Sequence, residues 1–397
     1  MADAPSRMDA APATSHHLLD ASAFWGPAGG VRRVLTARHE VLPRLGWRHT
    51  VLAPRARGPG FIDCGGLPVP WSGGYRLPWW QRRVVQLIEA AQPDLIEAAD
   101  PYTVAWAVLE AGRRLHVPTV AFCHSNLPAM AERLVGGALG AVRGRWAAAR
   151  AQAYLTDLYA RFDLVLAPSR SMVQRLRQWG LKDAQWQPLG VDCQTFNPSA
   201  ADALWRQQLI QRLGVPSSTR LLLYTGRFAP EKHLGLLADA VGLLGPGHLL
   251  VAVGSGPRPP RGAQVRVLPP VTDSGLLARL LANCDIYVHA GDQETFGLGA
   301  LEAMASGLPT VLSDCDGLGE LAQAGGLAVK SRQPSDWAKA MASALSERRD
   351  ELRDQALAHA RAHDWQPIVA QMVHRYGRVL QHSAQRREAG SAASPPL

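Results

Sequence analysis

The chain has 397 residues, of which 47% are hydrophobic and 19% charged, a composition typical of a globular protein with room for two domains and not of a disordered chain. No uninterrupted apolar run reaches the roughly 18–20 residues that a membrane-spanning helix needs, and residues 1–15 lack the basic and apolar regions of a signal peptide. The five cysteines have neither metal-binding nor disulfide spacing, so we expect a cytoplasmic protein with reduced thiols.

The net charge of +9 is unevenly distributed. Residues 1–200 contain 22 Lys and Arg against 15 Asp and Glu, whereas residues 201–397 contain 20 against 18. A basic excess favours anionic partners such as phosphorylated ligands or acidic lipid headgroups, although a surface bias without function explains it equally well. No basic segment interleaved with aromatic residues is present, so we expect no nucleic acid partner.

In the first half of the chain, short apolar runs alternate with helical patterns. Gly29 and Gly30 precede the first predicted helix, where two glycines allow a ligand to approach the backbone closely; a plain turn has the same pattern. His124 directly follows a predicted strand, although a lone histidine is more often a packed or surface residue than a catalytic one. The predicted strands of this half lie at 49–52, 95–97, 119–122 and 164–166.

The same alternation restarts after a polar, proline-containing stretch near 193–220. Most strands are separated by enough residues for a crossover helix, which predicts a parallel sheet in each half. We therefore predict an α/β protein with two Rossmann-like, doubly wound domains facing each other across a cleft. A final helix is predicted at Pro367–Leu380. The predicted strands of the second half lie at 221–224, 249–253, 265–268, 285–288 and 310–312.

Two cations follow the strand at 221–224. Gly226 ends that strand, and Arg227 and Lys232 lie five residues apart on a loop that enters a helix. This pattern suits a diphosphate, because an arginine can bind two oxygens while a lysine supplies a mobile point charge. Two solvated surface cations would produce the same pattern.

Two glutamates, Glu294 and Glu302, flank a glycine-rich segment after the strand at 285–288. Glu294 is expected in the loop at the carboxyl end of that strand, and Glu302 just inside a helix predicted at 301–305. Between them, the amides of residues 296–299 should lie at a helix N-terminus, where unpaired N–H groups and the helix dipole favour a phosphate. Two solvated glutamates are the alternative interpretation.

Asp314 and Asp316 form an Asp-x-Asp pair after the strand at 310–312. Two carboxylates alone make a poor metal site without a phosphate ligand. We interpret the pair as a loop feature and expect no required metal.

These segments together resemble family-4 retaining glycosyltransferases of the GT-B fold, also called glycosyl transferases group 1. Residues 294–309 are similar to the family's E-x-F-G-L-x-x-x-E-A-M-A-x-G-x-P run, and residues 226–232 to its G-R-x-x-x-x-K element. The family's common Pro-Ser upstream of the first glutamate is here Ala290-Gly291. The resemblance extends over nearly the whole chain, from the Gly29–Gly30 loop to Trp365.

The resemblance implies a role for each residue. Arg227 and Lys232 would bind the donor diphosphate, Glu302 the ribose hydroxyls and Glu294 the hexose hydroxyls. His124 would contact the donor sugar near the reaction centre. The remaining donor-binding residues would be Gly29, Gly30, Phe296, Gly297 and Leu298.

It also implies a domain division: an acceptor-side domain at 17–195, a nucleotide-sugar-binding domain at 196–365, and a helix at 366–383 that crosses back to the first domain. The expected enzyme is a hexosyltransferase of glycan biosynthesis that needs no cofactor. It would move a mannose- or glucose-type hexose from a nucleotide diphosphate sugar to a glycan or lipid-linked acceptor.

Two alternatives remain open: a nucleotide-sugar epimerase on the same architecture, and a nucleotide-sugar-binding protein without turnover. The basic first half, with the arginine-bearing segment 133–150, adds the expectation of a peripheral contact with the anionic inner face of a membrane.

Overall fold

The protein contains two parallel sheets, each covered by helices. The structure is a computed structural model that describes residues 16–26, 29–69 and 74–392, with side chains up to residue 389. In chain order, the first half consists of β1 (His16–Ala21), α1 (Gly30–Val41), β2 (Trp47–Ala53), β3 (Phe61–Asp63), β4 (Leu67–Pro68), β5 (Arg76–Leu77), α2 (Gln81–Ala91), β6 (Leu95–Ala98), α3 (Thr103–Leu115), β7 (Thr119–Phe122), α4 (Leu127–Leu139), α5 (Ala141–Tyr159), β8 (Leu164–Ala167), α6 (Arg170–Gln178) and β9 (Gln185–Trp186).

The second half repeats the alternation of strand and helix and ends in a run of three helices. Its elements are α7 (Ala203–Leu213), β10 (Arg220–Thr225), α8 (Leu234–Leu244), β11 (His248–Val253), β12 (Val265–Leu268), α9 (Ser274–Ala282), β13 (Ile286–His289), α10 (Leu298–Ala305), β14 (Thr310–Ser313), α11 (Asp316–Gly325), β15 (Leu327–Val329), α12 (Pro334–Leu345), α13 (Arg349–Ala362) and α14 (Trp365–Ala392).

In both sheets, the order in which successive strands are added reverses beside the first strand of the sheet. The first has the order β3-β2-β1-β6-β7-β8-β9 and the second β12-β11-β10-β13-β14-β15. Each sheet therefore has a switch point, next to β1 and next to β10, where loops after neighbouring strands diverge and leave a crevice for a ligand. The loops after β10 and β13 carry the predicted cations and the first glutamate. The predicted doubly wound α/β architecture is confirmed.

Both faces of each sheet are buried, which explains the continuous apolar runs of its strands. In β10, Leu221 and Leu223 pack into one hydrophobic cluster while Leu222 and Tyr224 pack into another on the opposite face. This alternation is the two-residue period of a strand between two helical layers.

The sequence-based strands lie within two residues of the observed ones, but the short strands β3, β4, β5, β9 and β15 were missed, and so was β1, which lies next to the switch point of the first sheet. Its sequence, His-His-Leu-Leu-Asp-Ala, places polar residues inside the strand, so it lacks an apolar run. The helix predicted at 301–305 begins three residues earlier, at Leu298. The last helix is also longer than predicted, since it extends from Trp365 to Ala392.

Helix α14 returns to the first half of the chain. Tyr376 donates a hydrogen bond to Glu97 of β6, and Arg375 donates to the side chains of Gln185 and Gln187 at 2.8 and 3.1 Å. The exact domain boundaries proposed from the sequence stay predictions. Among the described residues, none of the helices is long and apolar enough to cross a membrane.

Candidate active site

The N-terminus of α10 is open toward the cleft. Gly297 precedes the helix with φ of +106°, a conformation that favours glycine, and no side chain caps the first turn. A Cβ atom at Gly299 would lie 2.9 Å from the Thr225 hydroxyl oxygen and equally close to that of Tyr287, so this glycine is required by packing. The uncapped N–H groups leave a place for an anionic ligand.

Glu294 lies in the loop before this helix and forms an ion pair with Lys232. Its Oε1 is also 3.4 Å from Nε2 of the buried His289. The other ring nitrogen of His289 accepts a hydrogen bond from the Gly291 amide at 3.0 Å, which places the proton of the neutral ring on the side of Glu294.

Charge keeps this carboxylate ionised. Burial alone would raise the pKa of Glu294, but Lys232 and His289 outweigh it and hold the pKa well below its ordinary value. Burial lowers the pKa of His289, which favours the neutral ring. The pair is therefore an ionised carboxylate beside a cation, with a neutral hydrogen-bond donor behind it.

The Glu294 loop is fixed from both halves of the chain. The Gly317 amide, at the start of α11, donates to the Glu294 carbonyl at 3.0 Å. The Thr295 hydroxyl donates to the His124 carbonyl at 2.9 Å, so the segments that carry Glu294 and His124 are in direct contact. Phe296 is buried beneath the loop.

Glu302 lies one turn into α10 and is only 5% exposed. Its Oε1 accepts from Nη1 of Arg33, in the first turn of α1, whereas Oε2 is buried without a hydrogen-bond partner among the described residues. Burial raises the pKa of Glu302 and Arg33 opposes that shift. An unpaired buried oxygen is expected where a ligand hydroxyl binds.

Arg227 is the most exposed of the predicted site residues, with 64% of its side chain accessible. Its guanidinium lies 3.3 Å from Oε1 of the buried Glu231, and its carbonyl accepts from the Tyr224 hydroxyl at 2.9 Å. Arg133 of α4 approaches Oε2 of Glu231 to 3.6 Å and donates to Gln293. Three cations, Arg227, Arg133 and Lys232, thus surround one edge of the cleft.

His124 stacks on Phe122, with ring centroids 4.2 Å apart and planes inclined by 11°. Its Nε2 has no hydrogen-bond partner among the described residues. Burial and the nearby Arg38 lower its pKa to about 3, so the ring is neutral at ordinary pH.

The start of α1 faces the start of α10. Gly29 precedes α1 without a side-chain cap, and a Cβ there would lie 2.9 Å from the Tyr75 hydroxyl. A Cβ at Gly30 would lie 3.3 Å from Leu298 Cδ1. The two predicted glycines therefore lie at the same cleft as the glutamates.

The two aspartates of the Asp-x-Asp pair, Asp314 and Asp316, form ion pairs with different cations. Asp316 forms a two-pronged interaction with Arg175 of α6, at 2.6 and 3.2 Å, while Asp314 lies 3.4 Å from Lys330. In the part of the chain that the structure describes, no group of three or more possible metal ligands occurs.

Contacts between the loops after β10 and β13, the starts of α1 and α10, and the segment after β7 connect the sequence-predicted site residues. Three residues that were not predicted take part in these contacts: Arg33, Arg133 and His289. Arg33 and Arg133 come from helices of the opposite half, and no local pattern marks such a contact. His289 immediately follows the predicted strand 285–288, where a histidine before Gly291 and Glu294 was a usable signal.

Comparison with known proteins identifies the family. Residues 28–195 match the sequence profile of Glycosyltransferase Family 4, and residues 219–347 match that of Glycosyl transferases group 1. The chain belongs to this family of glycosyltransferases, and its fold is GT-B.

Two relatives and one solved structure illustrate the similarity. A GDP-mannose-dependent alpha-mannosyltransferase of Mycobacterium tuberculosis is 32% identical over 241 residues, which are 59% of each chain. A GDP-mannose-dependent alpha-(1-6)-phosphatidylinositol dimannoside mannosyltransferase of the same species is 29% identical over 370 residues, 88% of this chain and 93% of the relative. The structure of Anabaena HepE with UDP and glucose superposes with a TM-score of 0.72 and 18% identity, over 92% of this chain and 100% of that one.

Proposed function

We propose that the protein is a retaining hexosyltransferase, which moves a mannose- or glucose-type sugar from a nucleotide diphosphate donor to a glycan or lipid-linked acceptor. The observation that carries the proposal is the placement of an ionised Glu294 beside Lys232 and the uncapped start of α10, with an unpaired oxygen of Glu302 one turn further along the helix. This arrangement offers partners for hexose hydroxyls, a diphosphate and a ribose within one cleft.

Each group has a defined task in the proposed reaction. Arg227 and Lys232 neutralise the diphosphate as the bond between it and the sugar C1 breaks, and the α10 amides add hydrogen bonds. Glu302 binds the ribose and Glu294 orients the hexose. By resemblance to the family, the acceptor hydroxyl attacks C1 from the face that the diphosphate leaves, and its proton passes to a phosphate oxygen.

The donor panel begins with GDP-mannose and UDP-glucose. GDP-mannose is named in both mycobacterial relatives, and UDP-glucose is bound in another HepE structure. We expect nucleotide release from one donor to rise several-fold when a mannoside or glycolipid acceptor is added, and the anomeric configuration, followed by NMR, to be retained. Lys232→Ala is the inactive control.

The same experiment separates the alternatives. Conversion of the sugar without an acceptor would support a nucleotide-sugar epimerase. Binding of the nucleotide sugar with no conversion under any condition would support a binding protein. Inversion of configuration at C1 would still support a glycosyltransferase, but it would exclude the retaining mechanism.

We further propose that the lipid-linked acceptor is met at an anionic membrane surface through the α4–α5 hairpin. This hairpin exposes Leu139, Val142 and Trp146, the last with 67% of its surface accessible. Three arginines of α5 form no ion pair with any described residue: Arg143, Arg145 and Arg150. Exposed apolar side chains beside unpaired cations suit an anionic lipid surface, to which each arginine contributes about 1 kcal/mol.

Vesicle sedimentation tests this attachment. We expect binding to phosphatidylglycerol-containing vesicles that weakens at high salt, and little binding to phosphatidylcholine alone. Leu139→Ser should reduce the bound fraction, whereas Leu243→Ser, which removes a similarly exposed leucine from α8, should not. Equal binding to neutral and anionic vesicles would contradict the proposal.

A further inference from the structure

Arg33 connects the two halves of the chain at Glu302. It lies in the first turn of α1, beside the first sheet, and its Nη1 donates to Oε1 of Glu302 in α10, beside the second sheet. The carboxylate is almost fully buried, while 40% of the Arg33 side chain is accessible. The charge of Glu302 is thus balanced from the opposite side of the cleft.

This ion pair leaves one donor and one acceptor without partners. Oε2 of Glu302 and Nε of Arg33 are both buried, and neither has a hydrogen-bond partner among the described residues. Leaving such buried groups unpaired is unfavourable, so a ligand that satisfies both would be strongly favoured. A vicinal diol offers the required pair of groups, because one hydroxyl can donate to the carboxylate while the other accepts from the guanidinium.

We propose that Arg33 is a nucleotide-binding residue that forms, with Glu302, a clamp for the two ribose hydroxyls of the donor. This inference rests on the proposed function and extends it, since the ribose site would then be completed only when both halves of the chain are in contact. Arg33 also positions Glu302, because its guanidinium fixes one of the two carboxylate oxygens.

The contact with Glu302 distinguishes Arg33 from the phosphate-binding cations. Lys232 and Arg227 are also paired with glutamates, but they lie in the loop after β10, beside the open start of α10. Arg33 instead pairs one turn inside that helix, where Glu302 lies. Its removal should therefore weaken recognition of the ribose hydroxyls rather than of the diphosphate.

Calorimetry with matched nucleotides tests this clamp. GDP and 2′,3′-dideoxy-GDP, or the corresponding UDP pair if UDP binds more tightly, are titrated into the full-length protein. We expect the wild type to prefer the ribonucleotide by about 10- to 100-fold. Arg33→Gln should lower that preference at least five-fold, and it should have little further effect in a protein that already carries Glu302→Gln.

Two further variants serve as comparisons. Arg33→Lys retains the charge but lacks the second N–H group of the fork, so the preference should fall at least two-fold even with Glu302 still paired. This variant also tests the inference if Arg33→Gln does not fold. Arg44→Gln removes an exposed cation from the same half and should leave both affinities unchanged.

Each result decides the question. Equal weakening of both nucleotides by the Arg33 variants, or an unchanged preference, would overturn the clamp while leaving the proposed function intact. If the wild-type protein bound none of the nucleoside diphosphates GDP, UDP, ADP, CDP and dTDP, the proposed function would itself be overturned, and the clamp with it.

Discussion

Two charge networks, one in each half of the protein, use buried charges in opposite ways. In the first half, Nη1 of Arg38 lies 3.2 Å from Asp20 and 2.6 Å from Glu97, and all three side chains are inaccessible inside the sheet layer. In the second half, Lys232 and Glu294 form their pair in loops after strands, at the edge of the cleft. The first network has almost no contact with solvent and stabilises the fold, whereas the second can exchange partners with a ligand.

The largest expected effect comes from removing the central cation of the first network. Arg38→Met would leave Asp20 and Glu97 as buried carboxylates without a cation, which costs about 3–5 kcal/mol of unfolding free energy. Arg227→Met, at an exposed position, should change that free energy by less than about 0.5 kcal/mol while reducing turnover. Urea unfolding and steady-state rates measure both quantities. An Arg38→Met protein as stable as the wild type would show that the network does not hold the fold.

The next prediction divides the roles of the two glutamates at the cleft. Glu302→Ala should weaken binding of the free nucleoside diphosphate by about 1.5–3 kcal/mol, because charge-assisted hydrogen bonds to the ribose are lost. Glu294→Ala should leave that binding nearly unchanged, since the free nucleotide carries no hexose. Its loss should instead appear as a fall of about 100-fold in turnover, because the transferred sugar is misplaced.

Calorimetry and steady-state rates on the two variants decide this division. Equal weakening of nucleotide binding by both substitutions would contradict it. Glu294→Gln is the matched control for Glu294→Ala. It keeps the size of the side chain and removes only the charge that pairs with Lys232, so it separates the loss of charge from the loss of volume.

The same contrast explains what the sequence could predict. Arg227, Lys232 and Glu294 lie in loops that follow apolar strands, and Glu302 lies in the helix after the second of these loops. Their placement at one edge of a parallel sheet therefore follows from local patterns. Strand β1 was missed because Asp20 and its histidines interrupt the apolar pattern. Asp20 can be buried only because Arg38 and His49 contact it, at 3.2 and 3.0 Å, and those contacts form only in the folded chain.

Contacts between the two halves of the chain could not be predicted from the sequence either. Arg33 and Arg133 lie in ordinary amphipathic or apolar helices, and their partners are 269 and 160 residues further along the chain. Such pairs depend on how the two sheets face each other, which no periodicity encodes. Helix α14 was predicted in part: its existence follows from the sequence, but its contact with β6 through Tyr376 does not.

A smaller effect is expected at that contact. Tyr376→Phe keeps the packing of the ring and removes the hydrogen bond to Glu97, which retains Arg38 as a partner. We expect a loss of about 1 kcal/mol in unfolding free energy. Hydrogen exchange should also show faster opening of α14. Unchanged stability and exchange would mean that packing alone attaches this helix to the first half.

The smallest expected effect concerns His124, whose contribution to kcat/KM should not depend on pH. This residue links the two networks, because it lies at the candidate site and close to Arg38. Burial is the main cause of its low pKa of about 3, and Arg38, held behind Phe122 by the first network, lowers it further. A depressed pKa means that the neutral ring persists until the pH falls toward that value. At pH 5.5 fewer than about 1% of His124 rings would be protonated, against about 90% for an ordinary histidine with a pKa near 6.5.

The ratio of kcat/KM between the wild type and His124→Asn should therefore stay constant from pH 5.5 to 8. A ratio that falls several-fold toward pH 5.5 would show that the ring takes up a proton in that range and that burial and Arg38 do not keep it neutral.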